Sequence, residues 1–466
     1  MADERFEDHL LHPRGRARQI AGAFSGAAGG AACGDLVRID VAVAGERVRA
    51  AAFEASGCGA TIAAASAAVE LLDGAGLLDA ARIGSPQIAA ALGGLSPGKL
   101  HAADLASDAL HRALGAAVRG DGALEPNPGR TLVAMSGGVD SAVAALLCAR
   151  DGLEVAAVTL ELWADPENDG ERSCCSAAAV RGARVVAHGI GLAHFTLDLR
   201  DEFRAGVVSP WLAEHADGLT PNPCVRCNGH VRLDAMLEFA DRLGAATLST
   251  GHYARRTADG LLRLAADPAK DQTYMLAALS RDSLARLRFP LGEHRKPQVR
   301  ALAAQAGLAV AGKPDSQDLC FLAGTGRAGF LARHGGMHER PGDILDCDGG
   351  VLGRHRGHHG FTVGQRKGLG VAATEALYVL ATDARANTVT VGPREQLATR
   401  TVRVRGLRMH GAEPDAVRLR YRSPALGCRL EGDEIHLAEP FDGAAPGQTA
   451  VFLAGDAIVG CATIAA

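Results

Sequence analysis

The chain has 466 residues, a net charge of −4 and 47% apolar residues, enough for about three domains with buried cores. Near-neutral charge excludes binding nucleic acid by bulk basicity, so any polyanion site is local; no apolar run is long enough to span a bilayer, and no membrane partner is expected. The start, Met1-Ala-Asp-Glu-Arg-Phe-Glu-Asp8, lacks a secretion signal's apolar core, and 11 cysteines in such a chain point to a reducing, cytoplasmic setting where thiols serve metals or catalysis.

Residues 1–118 read as an α+β unit. A helical pattern covers Phe6 to Leu11, and alternating residues predict strands over Asp35–Val43 and Val48–Phe53. Apolar helices follow over Ala60–Leu72 and Ala102–Val118. Residues 119–129, rich in Gly and Pro, read as a linker. Residues 130–330 alternate between strand and helix, with strands at Thr131, Leu153–Leu160, Ala193–Leu199 and Ala246–Tyr253. That alternation predicts a doubly wound parallel sheet with ligands beyond the strand C-termini. Short strands among Gly, Pro and Asp, including Pro341–Asp346, Gly360–Gly370, Leu377–Leu380, Val417–Tyr421 and Thr449–Leu453, predict a small β-rich domain over 331–398 and a β-barrel over 399–466.

Ala134-Met135-Ser136-Gly137-Gly138-Val139-Asp140-Ser141 is the most informative stretch. It reads as strand end, glycine turn and helix start. Gly137 and Gly138 allow positive φ, and free N–H groups at a helix N-terminus favour an anion. It is not a Walker loop, because it contains no lysine. Ser-Gly-Gly-Val-Asp-Ser resembles the PP-loop of the ATP pyrophosphatases, which adenylate a carbonyl oxygen and release pyrophosphate.

Two cysteine loops follow. In Thr220-Pro-Asn-Pro-Cys-Val-Arg-Cys-Asn228, prolines fix an extended loop ahead of a helix, and Cys227 near that helix start beside Arg226 is expected to have a lowered thiol pKa. Cys224 with Cys227 could equally hold zinc. Lys313-Pro-Asp-Ser-Gln-Asp-Leu-Cys320-Phe321 is a polar loop delivering another thiol. Together with Gly251-His252-Tyr253, Lys270-Asp271-Gln272 and Gly364-Gln-Arg-Lys-Gly368, these stretches resemble the tRNA-specific 2-thiouridylase family from about Arg130 to Ile464.

The resemblance implies ATP-dependent 2-thiolation of a wobble uridine in tRNA, a sulfurtransferase reaction with ATP and Mg²⁺. It places ATP contacts on Ala134 to Ser141, Leu160 and Gly251. It makes Cys227 and Cys320 catalytic, with the persulfide on Cys320. It places tRNA contacts on His252, Lys270, Asp271, Gln272, Arg420, Tyr421 and Gln448. The sulfur comes from a cysteine desulfurase or sulfur-relay partner. Two thiols suit this chemistry, since transfer of the outer sulfur leaves a thiolate to be resolved. Asp140 is a carboxylate suited to lie near magnesium. Cys224, where many members carry Asp, leaves a [4Fe–4S] cluster on Cys224, Cys227 and Cys320 open as an alternative route.

The N-terminal unit contains Cys33-Gly34-Asp35 and Gly57-Cys58-Gly59, one at each of two turns that adjacent strands could bring together. These resemble the NifU/IscU-type iron–sulfur scaffold, whose third motif here reads Lys99-Leu100-His101-Ala102, with the cysteine missing. The resemblance implies a site on Cys33, Asp35, Cys58 and His101 for zinc or a cluster. The competing reading is a domain that only packs or docks a sulfur donor. From another class, the whole chain could be an iron–sulfur or sulfur carrier; the incomplete third motif opposes that. A PP-loop synthetase with a different substrate would not need the thiols. Cys148, Cys428 and Cys461 read as core thiols, Trp163 and Trp211 as packing, and His358-His359 as a solvated loop; His188 and His194 have no partner that the sequence names.

Overall fold

The computed structural model describes residues 4–29, 34–165, 176–315, 319–322 and 324–466. Cys33 and the Cys174-Cys175 pair lie outside the described residues. The chain forms two compact units: one contains residues 1–200, 235–252 and 286–320, the other 201–234, 253–285 and 321–466.

The first unit contains two sheets. Strands β1 (Phe24–Gly29), β2 (Leu36–Ala44) and β3 (Arg47–Ser56) form an antiparallel meander. Alternation in β2 buries Val37, Ile39 and Val41. Helices α1 (Glu4–Leu11), α2 (Gly59–Leu72), α3 (Ser85–Ala91) and α4 (Leu100–Gly120) complete this part, and the alanine-rich faces of α2 and α4 are buried. The second sheet is parallel, with β4 (Asn127–Ala134), β5 (Glu154–Glu161), β6 (Ala193–Asp198), β7 (Ala245–Thr250) and a two-residue strand at Leu287–Arg288. Its order is Leu287–Arg288, β7, β4, β5, β6. Helices α5 (Val139–Arg150), α6 (Ala177–Gly189) and α7 (Lys296–Gln305) belong to this sheet region. The C-terminal half of β4 and nearly all of β5 are buried, as a sheet covered on both faces requires.

Edge strand β6 is covered by the N-terminal elements. The His194 N–H donates to the Ala81 carbonyl at 2.9 Å, and the His194 carbonyl faces His111 Nδ1 at 2.7 Å. Charge fastens the same surface: Arg112 of α4 grips Glu161 at the end of β5, and Asp108 of α4 accepts from Arg181 and Arg184 of α6. An unpaired strand edge is a liability, and here α4 removes it. His188 and His194 acquire partners: His188 Nε2 faces the Ala81 carbonyl at 3.0 Å, and His194 Nε2 faces Thr159 Oγ1 at 2.9 Å.

In the second unit, β8 (Gly342–Leu345), β9 (Val351–His355), β10 (Tyr378–Asp383) and β11 (Thr388–Gly392) form a four-stranded sheet in the order β9-β8-β11-β10. The stretch Gly360–Gly370, expected as short strands, is a loop after a single helical turn at His358–Gly360. His358 is not solvated: it is buried, and its Nδ1 lies 3.2 Å from Asn387 Oδ1.

Strands β12 (Ala398–Met409), β13 (Ala416–Arg418), β14 (Leu426–Glu431), β15 (Glu434–Asp442), β16 (Thr449–Ala454) and β17 (Ala457–Ile464) run β12-β15-β14-β13-β16-β17. Pairing of β12 with β17 closes a six-stranded antiparallel barrel. Its core includes Val402, Val417, Ile435, Phe452 and Val459. Among the described residues, no helix is long and apolar enough to cross a membrane.

Candidate active site

Strand β4 delivers Ala134 and Met135 to the sheet's C-terminal edge, where the Met135 N–H donates to the Val158 carbonyl at 2.8 Å. The chain then turns. Gly137 has φ 69°, as the sequence requires of one of the two glycines. Gly138 does not use that freedom: at φ −98° and ψ 165° it is the extended residue capping α5, with no side-chain cap on the helix amides. Ser141 folds back into the turn. Its Oγ accepts from the Ser136 N–H at 3.1 Å and donates to the Gly138 carbonyl at 3.1 Å. Gly251, at the end of β7, packs so closely that a Cβ there would lie 2.7 Å from the Ser141 nitrogen. Leu160 is buried in β5. The start of a 12-residue helix with no side-chain cap is the kind of place that favours an anion.

The sequence reading missed what surrounds this loop. Lys296, at the start of α7, places its ammonium 2.7 and 2.8 Å from the two Asp140 oxygens and 2.8 Å from Asp315 Oδ1. Arg300 binds the same Asp315 oxygen at 2.9 Å. Lys313 donates to the Gly137 carbonyl at 2.9 Å. Asp140, read from sequence as a carboxylate near magnesium, therefore gives both oxygens to Lys296. Magnesium arriving on ATP phosphates would have to share Asp140 with that ammonium. His252, just after β7, turns its Nδ1 to Thr250 Oγ1 at 2.9 Å.

The segment carrying Cys224 and Cys227 belongs to the second unit. Asn222 caps the helix Pro223–Cys227, with its Oδ1 accepting from the Cys224 and Val225 amides at 3.1 and 3.3 Å. The expected placement of Cys227 at the helix start is corrected here, because the Asn222 cap and Pro223 give that place to Cys224. Cys227 lies one turn further, is buried, and is followed by a wider turn over Asn228–Arg232. Arg226 directs its Nε to the Gly206 carbonyl at 2.7 Å.

Barrel residues hold this loop. Gln448 Nε2 donates to the Thr220 carbonyl at 2.8 Å, and Thr220 N–H donates to the Pro446 carbonyl at 2.8 Å. The Tyr274 hydroxyl donates to the Thr449 carbonyl at 2.6 Å; burial pushes that phenol well above its usual range. Beneath the helix lies a cavity of about 220 Å³, lined in part by Pro221, Asn222, Arg226, His230, Arg408 and Cys461.

The residues assigned to tRNA are distributed differently from a basic surface patch. Asp271 accepts from the Ala265 N–H, the Thr273 hydroxyl at 2.7 Å and Arg418 at 3.2 Å, so it organises its own turn. Gln272 Oε1 accepts from the Tyr253 N–H at 3.0 Å. Lys270 is half-buried beside them. Arg420 is exposed and donates to the Gly443 carbonyl at 3.0 Å, while the Tyr421 ring packs 5.8 Å from that of Tyr274.

Cys320 closes the first unit's last segment and is half-buried. The next residue, Phe321, is anchored in the second unit by T-shaped packing on Trp211 at 5.3 Å and Phe330 at 5.1 Å. Burial raises the thiol pKa values of Cys148 and Cys461, and that of Cys428 to about 11, so these three stay protonated at neutral pH.

In the N-terminal part, one ligand atom from each of Asp35, Cys58 and His101 lies within 4.8 Å of the others. The Thr61 hydroxyl (2.6 Å) and then the Cys58 amide (3.1 Å) hold the Asp35 carboxyl below its usual range. His101 Nδ1 faces the Gly98 carbonyl at 3.0 Å, which leaves Nε2 toward Asp35 at 3.4 Å. Tetrahedral zinc needs its ligands about 3.5 Å apart, so a small contraction of these three would suit the metal. Ala102, at the missing third cysteine, is fully buried in α4.

Family models match all four parts: a NifU-like N terminal domain over residues 2–118, a tRNA methyl transferase HUP domain over 129–324, a tRNA methyl transferase PRC-barrel domain over 328–393 and an aminomethyltransferase beta-barrel domain over 399–464. A bifunctional protein NifU/MnmA from Rubrobacter xylanophilus is 45% identical, covering 96% of this chain and 95% of that one. The tRNA-specific 2-thiouridylases MnmA of Thermobifida fusca and Salinispora tropica are 46% and 44% identical, each covering 72% of this chain, with 95% and 99% of their own lengths aligned. With relatives aligned over almost their entire lengths, this chain belongs to the MnmA tRNA-specific 2-thiouridylase family, in the form preceded by a NifU-like domain.

Proposed function

We propose that the chain is a tRNA-uridine 2-sulfurtransferase, acting by adenylation of the wobble-uridine C2 oxygen and then by sulfur transfer. The observation that carries this is the PP-loop at the end of β4, with its phosphate-receptive amides, in a chain that also has thiols at Cys227 and Cys320. Uracil C2=O is a poor electrophile, and attached AMP turns its oxygen into a leaving group. Ala134 to Ser141, Leu160 and Gly251 bind ATP. Magnesium carried on the phosphates supplies charge neutralisation. Cys320 bears the persulfide; the Cys227 thiolate attacks its inner sulfur to form a Cys227–Cys320 disulfide. The outer sulfur leaves as hydrosulfide, and this adds to the adenylated C2 carbon and expels AMP, the disulfide being returned to thiols by an external thiol reductant. The base must leave the anticodon stack, with His252, Lys270 to Gln272, Arg420, Tyr421 and Gln448 on the tRNA side.

Asp35, Cys58 and His101, with Cys33, hold zinc in the N-terminal domain and receive sulfur from a desulfurase-type donor in the cytoplasm. The test is mass-spectrometric detection of 2-thiouridine, with AMP and pyrophosphate release that depends on tRNA and a sulfur source. Cys227→Ser and Cys320→Ser should each abolish the product; thiolated tRNA from either variant refutes these roles.

A second route is favoured by one observation: Cys224 and Cys227 lie one turn apart on the same short helix. With Cys320 they would ligate a [4Fe–4S] cluster. Anaerobic purification followed by iron and labile-sulfide assay separates the two routes.

A further inference from the structure

We propose that Lys313 is the phosphate-binding cation that the glycine loop itself lacks; this rests on the reading of that loop as an ATP site. A triphosphate brings several negative charges, and the stretch Ala134 to Ser141 contains no lysine or arginine to meet them. Walker loops solve the same problem with a lysine in the loop that reaches the β- and γ-phosphates. Here two lysines reach the loop from much later in the chain, and the structure gives them different work.

Lys296 is buried and sits between the carboxylates of Asp140 and Asp315. Its charge is consumed there, so it ties α5 to the segment ahead of Cys320. Lys313 is exposed, and among the described residues its ammonium pairs with no carboxylate; it donates to the Gly137 carbonyl at 2.9 Å. A carbonyl is a weak partner for a full charge, and a phosphate oxygen at the same loop is a better one.

The backbone bearing Lys313 is already held. Arg300 donates to the Ala311 carbonyl at 3.0 Å and the Lys313 carbonyl at 3.2 Å, and it also binds Asp315. The side chain can therefore turn from Gly137 to a nucleotide with little further ordering cost. In the adenylation assigned to this site, the uracil C2 oxygen bonds to the α-phosphorus. The bond from that phosphorus to the oxygen bridging to the β-phosphate breaks, its electron pair leaves on pyrophosphate, and the uracil N3 proton passes to water. Lys313 lies where that departing charge collects.

The test is equilibrium binding of α,β-methylene-ATP and of adenosine to the full chain, without tRNA or sulfur donor. Loss of one charge-assisted contact predicts a roughly 10- to 100-fold rise in the Kd of the analogue for Lys313→Ala. Lys313→Arg should stay near wild type, and adenosine should bind all three forms alike. A substitution that only loosened the fold would weaken adenosine and the analogue together. Equal weakening of both ligands overturns the proposal, as does wild-type affinity of Lys313→Ala for the analogue, or a wild-type chain that does not bind it. Because the measurement needs no thiolation, a chain that binds the analogue through Lys313 yet makes no 2-thiouridine would refute the thiolation reading and leave this one standing.

Discussion

Arg112 on α4 and Glu161 at the end of β5 are joined by a multidentate ion pair, with Nε 3.0 Å from one carboxylate oxygen and Nη2 2.5 Å from the other. The Glu161 side chain is 8% exposed, so the pair is a largely buried charged fastening between the NifU-like elements and the parallel sheet, beside that of Asp108 with Arg181 and Arg184. Removing one partner strands a buried charge, which costs about 3 kcal/mol. Arg112→Ala should therefore lower the urea midpoint of the first unfolding transition markedly. Arg112→Met with Glu161→Gln should recover part of the loss. If the double variant is as unstable as the single, the cost lies in packing and not in the stranded carboxylate.

The same surface predicts a pH dependence. Burial depresses the pKa of His188 to about 4 and that of His194 well below 6.5, with Arg184 adding to both and Arg82 to His188, while Asp108 nearby is paired with Arg181 and Arg184. A histidine whose pKa is lower when folded binds fewer protons in the native state than in the unfolded one. Its neutral form's contribution is present above pH 6.5 and is lost as pH falls toward the folded pKa, at up to about 1.4 kcal/mol per pH unit for each ring. Stability should thus fall between roughly pH 6.5 and 4, and His188→Gln should flatten the slope. His111, with ring nitrogens 2.7 and 2.9 Å from two carbonyls, can satisfy both only when protonated, which moderates its share. An unchanged slope in His188→Gln would exclude this surface as the origin.

Much of this was legible in the sequence, for physical reasons. Strands β2 and β3 and helices α2 and α4 announce themselves by period and fall within a few residues of expectation. Strand β1 does not: Phe-Ser-Gly-Ala-Ala-Gly has no β-branched residue, and it is a strand because β2 pairs with it. The PP-loop was readable because strand, glycines and helix start are contiguous. Its lysines were not, since Lys296 meets Asp140 across 156 residues and nothing local marks a lysine as buried. The burial of His358 against Asn387 and the edge cover on β6 are likewise long-range, as is the hold of Gln448 on the Thr220 carbonyl. Cys227 falls later in its helix than expected, because the Asn222 side chain caps the first turn and Pro223 and Cys224 occupy it.

Gly251 tests the tightness of the phosphate loop. An alanine Cβ there would lie 2.7 Å from the Ser141 nitrogen and 2.9 Å from the Asp140 carbonyl carbon, both backbone atoms that cannot step aside alone. Gly251→Ala should push the end of β7 away from the loop and weaken α,β-methylene-ATP binding at least about tenfold, while far-UV circular dichroism stays unchanged. Undiminished binding would mean that the loop tolerates displacement and that its present form is not the binding form.

The converging side chains of the N-terminal domain make the last prediction. Cys58 is exposed, and its neighbours Asp35 and His101 are held by Thr61 and the Gly98 carbonyl, so a metal or persulfide there would be open to a donor. If this site receives sulfur for the thiolation centre, Cys58→Ser should lower turnover severalfold when a cysteine desulfurase with cysteine supplies the sulfur. It should leave turnover near wild type when excess hydrosulfide is supplied, which attacks the adenylated C2 carbon itself and expels AMP without forming a persulfide. Zinc content, measured on the same preparations by elemental mass spectrometry, should fall in Asp35→Ala and Cys58→Ser alike, because each removes one of the three converging ligand groups. Equal loss of turnover under both sulfur supplies would place the effect of Cys58 in the fold of the domain, and full activity with the desulfurase would leave the domain no part in sulfur delivery.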